Sequence, residues 1–180
     1  MISTIISMLS NGLSIYVFIE QRKIKEADVF ESRWFRLLDN LKSMTFANND
    51  GFESDFVSEL CLKIGFAEAQ GDISLRDIAD LISENHSGRL VRGTTPDGLY
   101  GAFQALANLR KGKTPDKRDF LDQSLFAYVN NKHVAHAFYQ AIRREDAKTI
   151  AFLIDTGLIS RFGEPWLNDH IATLRKACLK

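Results

Sequence analysis

Cysteine, proline and net charge are all scarce in these 180 residues. The two cysteines, Cys61 and Cys178, lie far apart in the chain, which excludes a disulfide scaffold and a CxxC zinc or redox site. Lys plus Arg number 23 and Asp plus Glu number 23, so the formal charge is zero and a generic polycation that coats double-stranded nucleic acid is excluded. The prolines stand at 96, 115 and 165, where helices start or loops run. No GxxxxGK[ST], HExxH or GxSxG motif occurs, so a P-loop, a helical zinc protease and a hydrolase elbow are not expected. No segment alternates with period two, and Asp50-Gly51 and Asp97-Gly98 are flanked by helical patterns instead of strands.

What is present is a globular composition, 45% apolar and 26% charged, enough for one domain with an appendage. Apolar residues recur at helical spacing throughout. Phe30, Trp34, Leu37, Leu38 and Leu41 form one stripe of a helix over about 22–46, which can continue the preceding segment because no Gly or Pro intervenes. Further helices are predicted over about 52–69, from a Ser74 cap through 85, and over 97–110, 117–131, 132–144 and 146–156, with a last one opening at Pro165. Leu81 and Phe120 are expected inward. Gly71 and Gly157 are expected helix stops.

Residues 1–19 carry no charge, and Arg22, Lys23 and Lys25 follow them. About 20 apolar residues cross a bilayer as a helix, and basic flanks stay cytoplasmic. The pattern differs from a cleaved signal peptide, in which basic residues come first. It predicts a membrane anchor over 1–25 with Met1 outside and a helical cytoplasmic domain over 26–180. The fold class is therefore all-α: an N-terminal anchor helix and a compact multi-helix domain. Ser3, Ser7, Ser10 and Ser14 share a face, suited to close helix–helix contact. The competing reading makes 1–19 an interfacial helix or a core helix of a soluble adaptor that binds another protein.

Neutrality hides a basic block. Residues 20–88 hold 8 basic and 14 acidic side chains, whereas 89–118 hold Arg89, Arg92, Arg110, Lys111, Lys113, Lys117 and Arg118 against Asp97 and Asp116. The block brackets the helix that opens at Pro96. Free N–H groups at a helix N-terminus and guanidinium forks both suit a phosphate, so Arg89, Arg92, Thr94, Lys111 and Lys113 are the candidate anion ligands. An acidic surface of a neighbouring protomer would suit them too. His133 and His136 share a helix face without the further ligands that a metal needs, and are expected at or partly below the surface. No catalytic constellation, metal or cofactor is expected, and the chain is read as a non-enzyme.

The stretch Phe30-Glu31-Ser32-Arg33-Trp34-Phe35-Arg36-Leu37-Leu38-Asp39-Asn40-Leu41 resembles the FExxFFxLLxxL-like helix of bacterial phage abortive-infection membrane proteins. Similar aromatic positions recur at Leu99-Tyr100-Gly101-Ala102-Phe103, at Leu125-Phe126-Ala127-Tyr128-Val129, at Phe138-Tyr139 and at Phe152-Leu153-Ile154 through Ile159. That family has two membrane helices where this sequence has one apolar run, and Trp34 replaces its second motif aromatic. The resemblance implies an antiphage defence effector in the bacterial inner membrane, a homo-oligomer whose cytoplasmic domain senses a signal and perturbs the lipid bilayer. Cyclic oligoadenylates, the messengers of type III CRISPR and related systems, are the signal it suggests, with Tyr100 stacking on a base beside the Arg/Lys cluster.

Overall fold

The computed structural model describes residues 2–46, 52–71, 74–82, 90–92, 96–162 and 165–179. Helices dominate: α1 (Ile2–Ser43), α2 (Phe52–Gln70), α3 (Leu75–Leu81), α4 (Pro96–Arg110), α5 (Pro115–Tyr128), α6 (Asn131–Arg143), α7 (Ala147–Asp155) and α8 (Pro165–Ala177), with a 3₁₀ turn at Ile159–Phe162 before α8. The all-α class expected from periodicity is what forms. One departure is a pair of short antiparallel strands, β1 (Thr45–Phe46) and β2 (Leu90–Arg92), with Thr45 opposite Arg92 and Phe46 opposite Leu90. Strands of two and three residues carry no readable alternation, and their pairing joins segments distant in sequence.

The chain divides into two compact units, Met1–Arg36 and Leu37–Lys180, and the division falls inside α1. The expected anchor gains no support. Among the described residues no helix is long and apolar enough to cross a membrane. Serine, threonine, asparagine and glycine dilute the uncharged run, and α1 continues without a break through Glu20 and the charges after it. Within that stretch Arg22 pairs with Glu26 at 2.9 Å and Lys23 with Glu20 at 2.9 Å, both on the solvent side.

The larger unit is built around α6. Val134, Ala135, Ala137, Phe138, Ala141 and Ile142 are buried on every side of this helix, and α2, α3, α4 and α7 surround it. Phe56 of α2 meets the rings of Phe138 and Tyr139 edge-on at 5.9 and 5.6 Å. Such aromatic pairs add about 1 kcal/mol each to their burial. His133 and His136 are fully buried here, deeper than the sequence reading placed them. The Asn130 N–H donates to His133 Nδ1 at 3.2 Å, so the ring proton sits on Nε2, which donates to the Met44 carbonyl at 3.3 Å. The same Asn130 caps α6 through His133 N, and His133 also packs its edge against Phe46 at 5.4 Å. One imidazole therefore serves as a capping side chain and as a clamp on the segment that follows α1.

Two side chains expected inward lie outward. Leu81 closes α3 at the surface, and Phe120 is 45% exposed with the Lys117 ammonium 4.9 Å over its ring. Phe120 belongs to the same α5 apolar cluster as Leu121 and Leu125, but the stripe is wider than the face that α5 buries, so the two leucines take the interior.

Candidate functional site

Three consecutive residues between α6 and α7 create the site. Arg144 ends α6. Glu145 follows with φ of 53°, a left-handed conformation usually taken by glycine. Its N–H donates to the Ile142 carbonyl at 2.9 Å, and the Asp146 N–H donates to the Ala141 carbonyl at 2.8 Å. Those two bonds are the Schellman closure of a helix. The next helix begins at once, because Asp146 Oδ1 accepts from the N–H groups of Lys148 and Thr149, both at 3.1 Å. The chain reverses in three residues and presents Arg144, Asp146 and Lys148 beside α4.

From α4, Tyr100, Gln104, Ala107 and Asn108 line this corner, at i, i+4, i+7 and i+8 as one helix face requires. With Arg144, Asp146, Lys148 and Thr149 they line a cleft of about 590 Å³. That volume lies in the range of small-molecule sites. The floor is a closed hydrogen-bond network. The Tyr100 hydroxyl donates to Asp146 Oδ2 at 2.6 Å, Thr149 Oγ1 donates to the same oxygen at 2.6 Å, and Gln104 Nε2 reaches both Oδ2 and the Tyr100 oxygen at 3.0 Å. Burial alone would raise the Asp146 pKa. The bonds from Thr149, Tyr100 and Gln104 outweigh it and hold the carboxyl down at about 2. Burial and the bond to Asp146 push the Tyr100 phenol well above its ordinary value.

The chemistry follows from that occupancy. Asp146 accepts from five donors and is ionised across the ordinary pH range, so it is a structural acceptor and a poor proton carrier. The other polar side chains that line the cleft are Asn108, Lys148 and Arg144, and the Arg144 guanidinium is already engaged by Asp97 and by Gln140 Oε1 at 3.3 Å. A cation and an amide beside a hydrogen-bonded floor suit binding of a small anionic or amide-bearing ligand. Among the described residues no group of three or more His, Cys, Asp and Glu is placed to hold a metal ion.

Of the predicted site residues that are described, Tyr100 lines the cleft and Lys111 and Lys113 do not. Arg89 and Thr94 lie outside the described residues. Arg92 is in β2, its backbone paired to Thr45. Lys111 and Lys113 sit in the turn after α4 and line no part of the cleft. The helix itself separates them from Tyr100: eleven residues at 1.5 Å each put Lys111 about 16 Å along the axis. Tyr100 does line the cleft. The residue is 3% exposed and the Arg144 guanidinium lies 4.8 Å over its ring, so the expected base-stacking face is taken. Arg144 also pairs with Asp97, which places a carboxylate in the first turn of α4 where the sequence reading placed an anion site.

Arg110 of the basic block is committed elsewhere. Its Nε and Nη2 grip both oxygens of Asp122 at 2.7 and 2.6 Å, joining the end of α4 to α5 in a half-buried fork. Sequence reasoning missed Gln104, Arg144, Asp146 and Lys148. The one signal available was Asp146 standing directly before an apolar helical run, the position of a capping residue.

No protein-family model matches this chain, and neither a curated protein nor a solved structure matches it.

Proposed function

We propose that this chain is a non-catalytic helical sensing module, whose unit Leu37–Lys180 holds a small phosphate-bearing ligand in the cleft between α4 and the α6–α7 corner. The observation that carries this reading is a hydrogen-bonded group, Tyr100–Asp146–Gln104–Thr149, in one cleft with the Lys148 ammonium and the Asn108 amide. A floor with its hydrogen bonds satisfied does not reorganise on binding, and a cation in the cleft selects for negative charge. The resemblance to abortive-infection proteins makes a nucleotide unit of a cyclic oligoadenylate the first ligand to test, and antiphage defence the setting. Calorimetric titration of the full chain with cyclic tri-, tetra- and hexa-adenylate is the experiment, with inorganic phosphate alongside. Binding that is lost in Lys148→Glu supports the reading, and absence of heat with all four sinks it.

The membrane-anchored form of this proposal, with 1–25 in the bacterial inner membrane, draws on the uncharged residues 1–19 and on the same resemblance. Retention of the full chain in alkaline-washed membranes, lost when residues 1–25 are removed, is its test.

A second reading, a helical adaptor for another protein, is favoured by one observation. Leu62 and Phe66, one turn apart on α2, are 60% and 59% exposed. Chemical cross-links from the α2 face to one defined partner in cells, abolished by Phe66→Asp, would favour it over the sensor.

A further inference from the structure

The spacing along α1 carries information beyond the sensor. From Ile6 the sequence steps by three and four in strict alternation: Ile6, Leu9, Leu13, Tyr16, Glu20, Lys23, Ala27, Phe30, Trp34, Leu37 and Leu41. This is the seam of a coiled coil, and only two of its members are polar. Trp34 and Leu41, at the C-terminal end, are fully buried. The middle of the seam is open: residues 21–29 are exposed at every position, and Ile24, flanking the seam, is 59% exposed. A helix bare on all sides for that length gains nothing from packing, which is where helices obtain most of their stability.

The two polar interruptions are opposite in sign and three residues apart, and this decides the partner. In a parallel pairing of two copies each seam residue meets its own counterpart, so Glu20 would face Glu20 and Lys23 would face Lys23. In an antiparallel pairing centred between them, Glu20 faces Lys23 of a second copy, and Lys23 faces that copy's Glu20. The same register sets Tyr16 opposite Ala27, large against small, and Leu13 opposite Phe30. It also brings Ile24 beside Val17 on one flank. Each copy already holds Glu20 and Lys23 together at 2.9 Å, so both side chains are extended toward one spot that a second copy's pair completes.

We propose that α1 is a self-association element: residues 13–30 of two copies pair antiparallel about a two-fold axis, with Glu20 and Lys23 of each facing the opposite charge. The shared length is about 27 Å of helix. The interface is isologous, so one patch serves both copies and the assembly closes as a dimer. A buried or half-buried polar pair in an apolar seam fixes register and orientation, which an all-apolar seam leaves open. The pairing does not use the cleft, so it stands or falls independently of ligand binding, and it excludes the membrane-anchored form, because two copies that enter a bilayer in one orientation cannot pair residues 13–30 antiparallel.

Sedimentation of the full chain tests it. Glu20→Lys and Lys23→Glu change residues that are 40% and 66% exposed, so both variants are expected to keep the wild-type far-ultraviolet spectrum. The wild type is expected to be a dimer. Each variant alone is expected to dissociate about a hundredfold more readily, because two like charges then face two like charges. A one-to-one mixture of the two variants is expected to recover the wild-type dimer, although neither chain retains its internal Glu20–Lys23 pair. A monomeric wild type overturns the proposal, as do single variants that dimerise like the wild type or a mixture that stays dissociated. Cosedimentation of a monomeric wild type with phosphatidylglycerol vesicles overturns it also, and would give the same stripe to lipid.

Discussion

The Tyr100 hydroxyl and Asp146 Oδ2 lie 2.6 Å apart, although 46 residues separate them in sequence. This bond joins α4 to the first residue before α7, and the same carboxylate caps α7 with its other oxygen. Asp146 is therefore a local cap and a long-range tether at once. Asp146→Ala is expected to cost about 3 kcal/mol, from the lost cap and the phenol left without its acceptor. Tyr100→Phe leaves the remaining four donors in place and is expected to cost about 1 kcal/mol. Denaturant melts of both variants and their double mutant measure the coupling. A double mutant equal to the sum of the singles would mean that the tether contributes nothing.

Acid is expected to loosen the larger unit in two separate windows. Burial lowers the His133 pKa below 6.5 against the opposing hydrogen bond to Met44, so folding holds this ring neutral. The unfolded chain binds the proton first. The stability linked to His133 is thus complete above about pH 7 and declines as pH falls from 6.5 toward the lower folded value. Protonation also removes the Nδ1 lone pair that accepts from Asn130. His133→Gln is expected to flatten the curve of stability against pH between 7 and 5. Asp146 acts lower: its folded pKa of about 2 means that its contribution is present above about pH 4 and disappears as pH falls through 2.

Two backbone positions are expected to stabilise the fold when changed. Gly65 lies inside α2, and a Cβ placed there meets nothing within 4 Å. Gly65→Ala is expected to gain about 1 kcal/mol by restricting the unfolded chain. Glu145 holds a left-handed conformation with a Cβ, which Glu145→Gly relieves for a gain of about 1 kcal/mol. The midpoints of urea unfolding report both. Because Glu145 fixes the corner that bears Arg144 and Asp146, ligand affinity of the glycine variant is a second readout on whether a rigid corner matters.

The Arg110–Asp122 fork is expected to be intolerant of lysine. Both side chains are about 15% exposed, and the bond to Asp122 raises the guanidinium pKa further. Arg110→Lys keeps the charge and loses the two-point grip, at an expected cost of about 1 kcal/mol. Asp122→Ala leaves a half-buried cation unpaired and is expected to cost about 2 kcal/mol. Thermal melts of the two variants give the order, and equal losses would reduce the fork to a simple ion pair.

Helix existence was legible because periodicity is a local property. The order of the eight helices among the described residues, the cap at Ser74 and the stops at Gly71 and Gly157 all follow from residues a few positions apart. Side-chain fate was less so. His133 and His136 look like surface residues on a helix with polar neighbours, yet α6 is surrounded and every side of it is covered. Phe120 has the spacing of a core residue and stays outside, because α5 is covered on a narrower face than its sequence offers.

The candidate site shows the same division. A basic block is a statement about sequence neighbours, and a helix of fifteen residues carries its two ends far apart. Arg110 proved to be half of a fork, Tyr100 a buried donor, and the cations of the cleft came from a corner forty residues further on. By itself the sequence determined the helical class, the approximate place of each helix and the neutral balance of charge, since each depends on composition or on spacing along one segment; the ends of α1, α3 and α5 fell up to four residues short of the periodic pattern. Only the tertiary structure decided which α4 face meets the α6–α7 corner and which cations remain for a ligand, because pairing of distant side chains is set by how helices pack and not by any pattern within one of them.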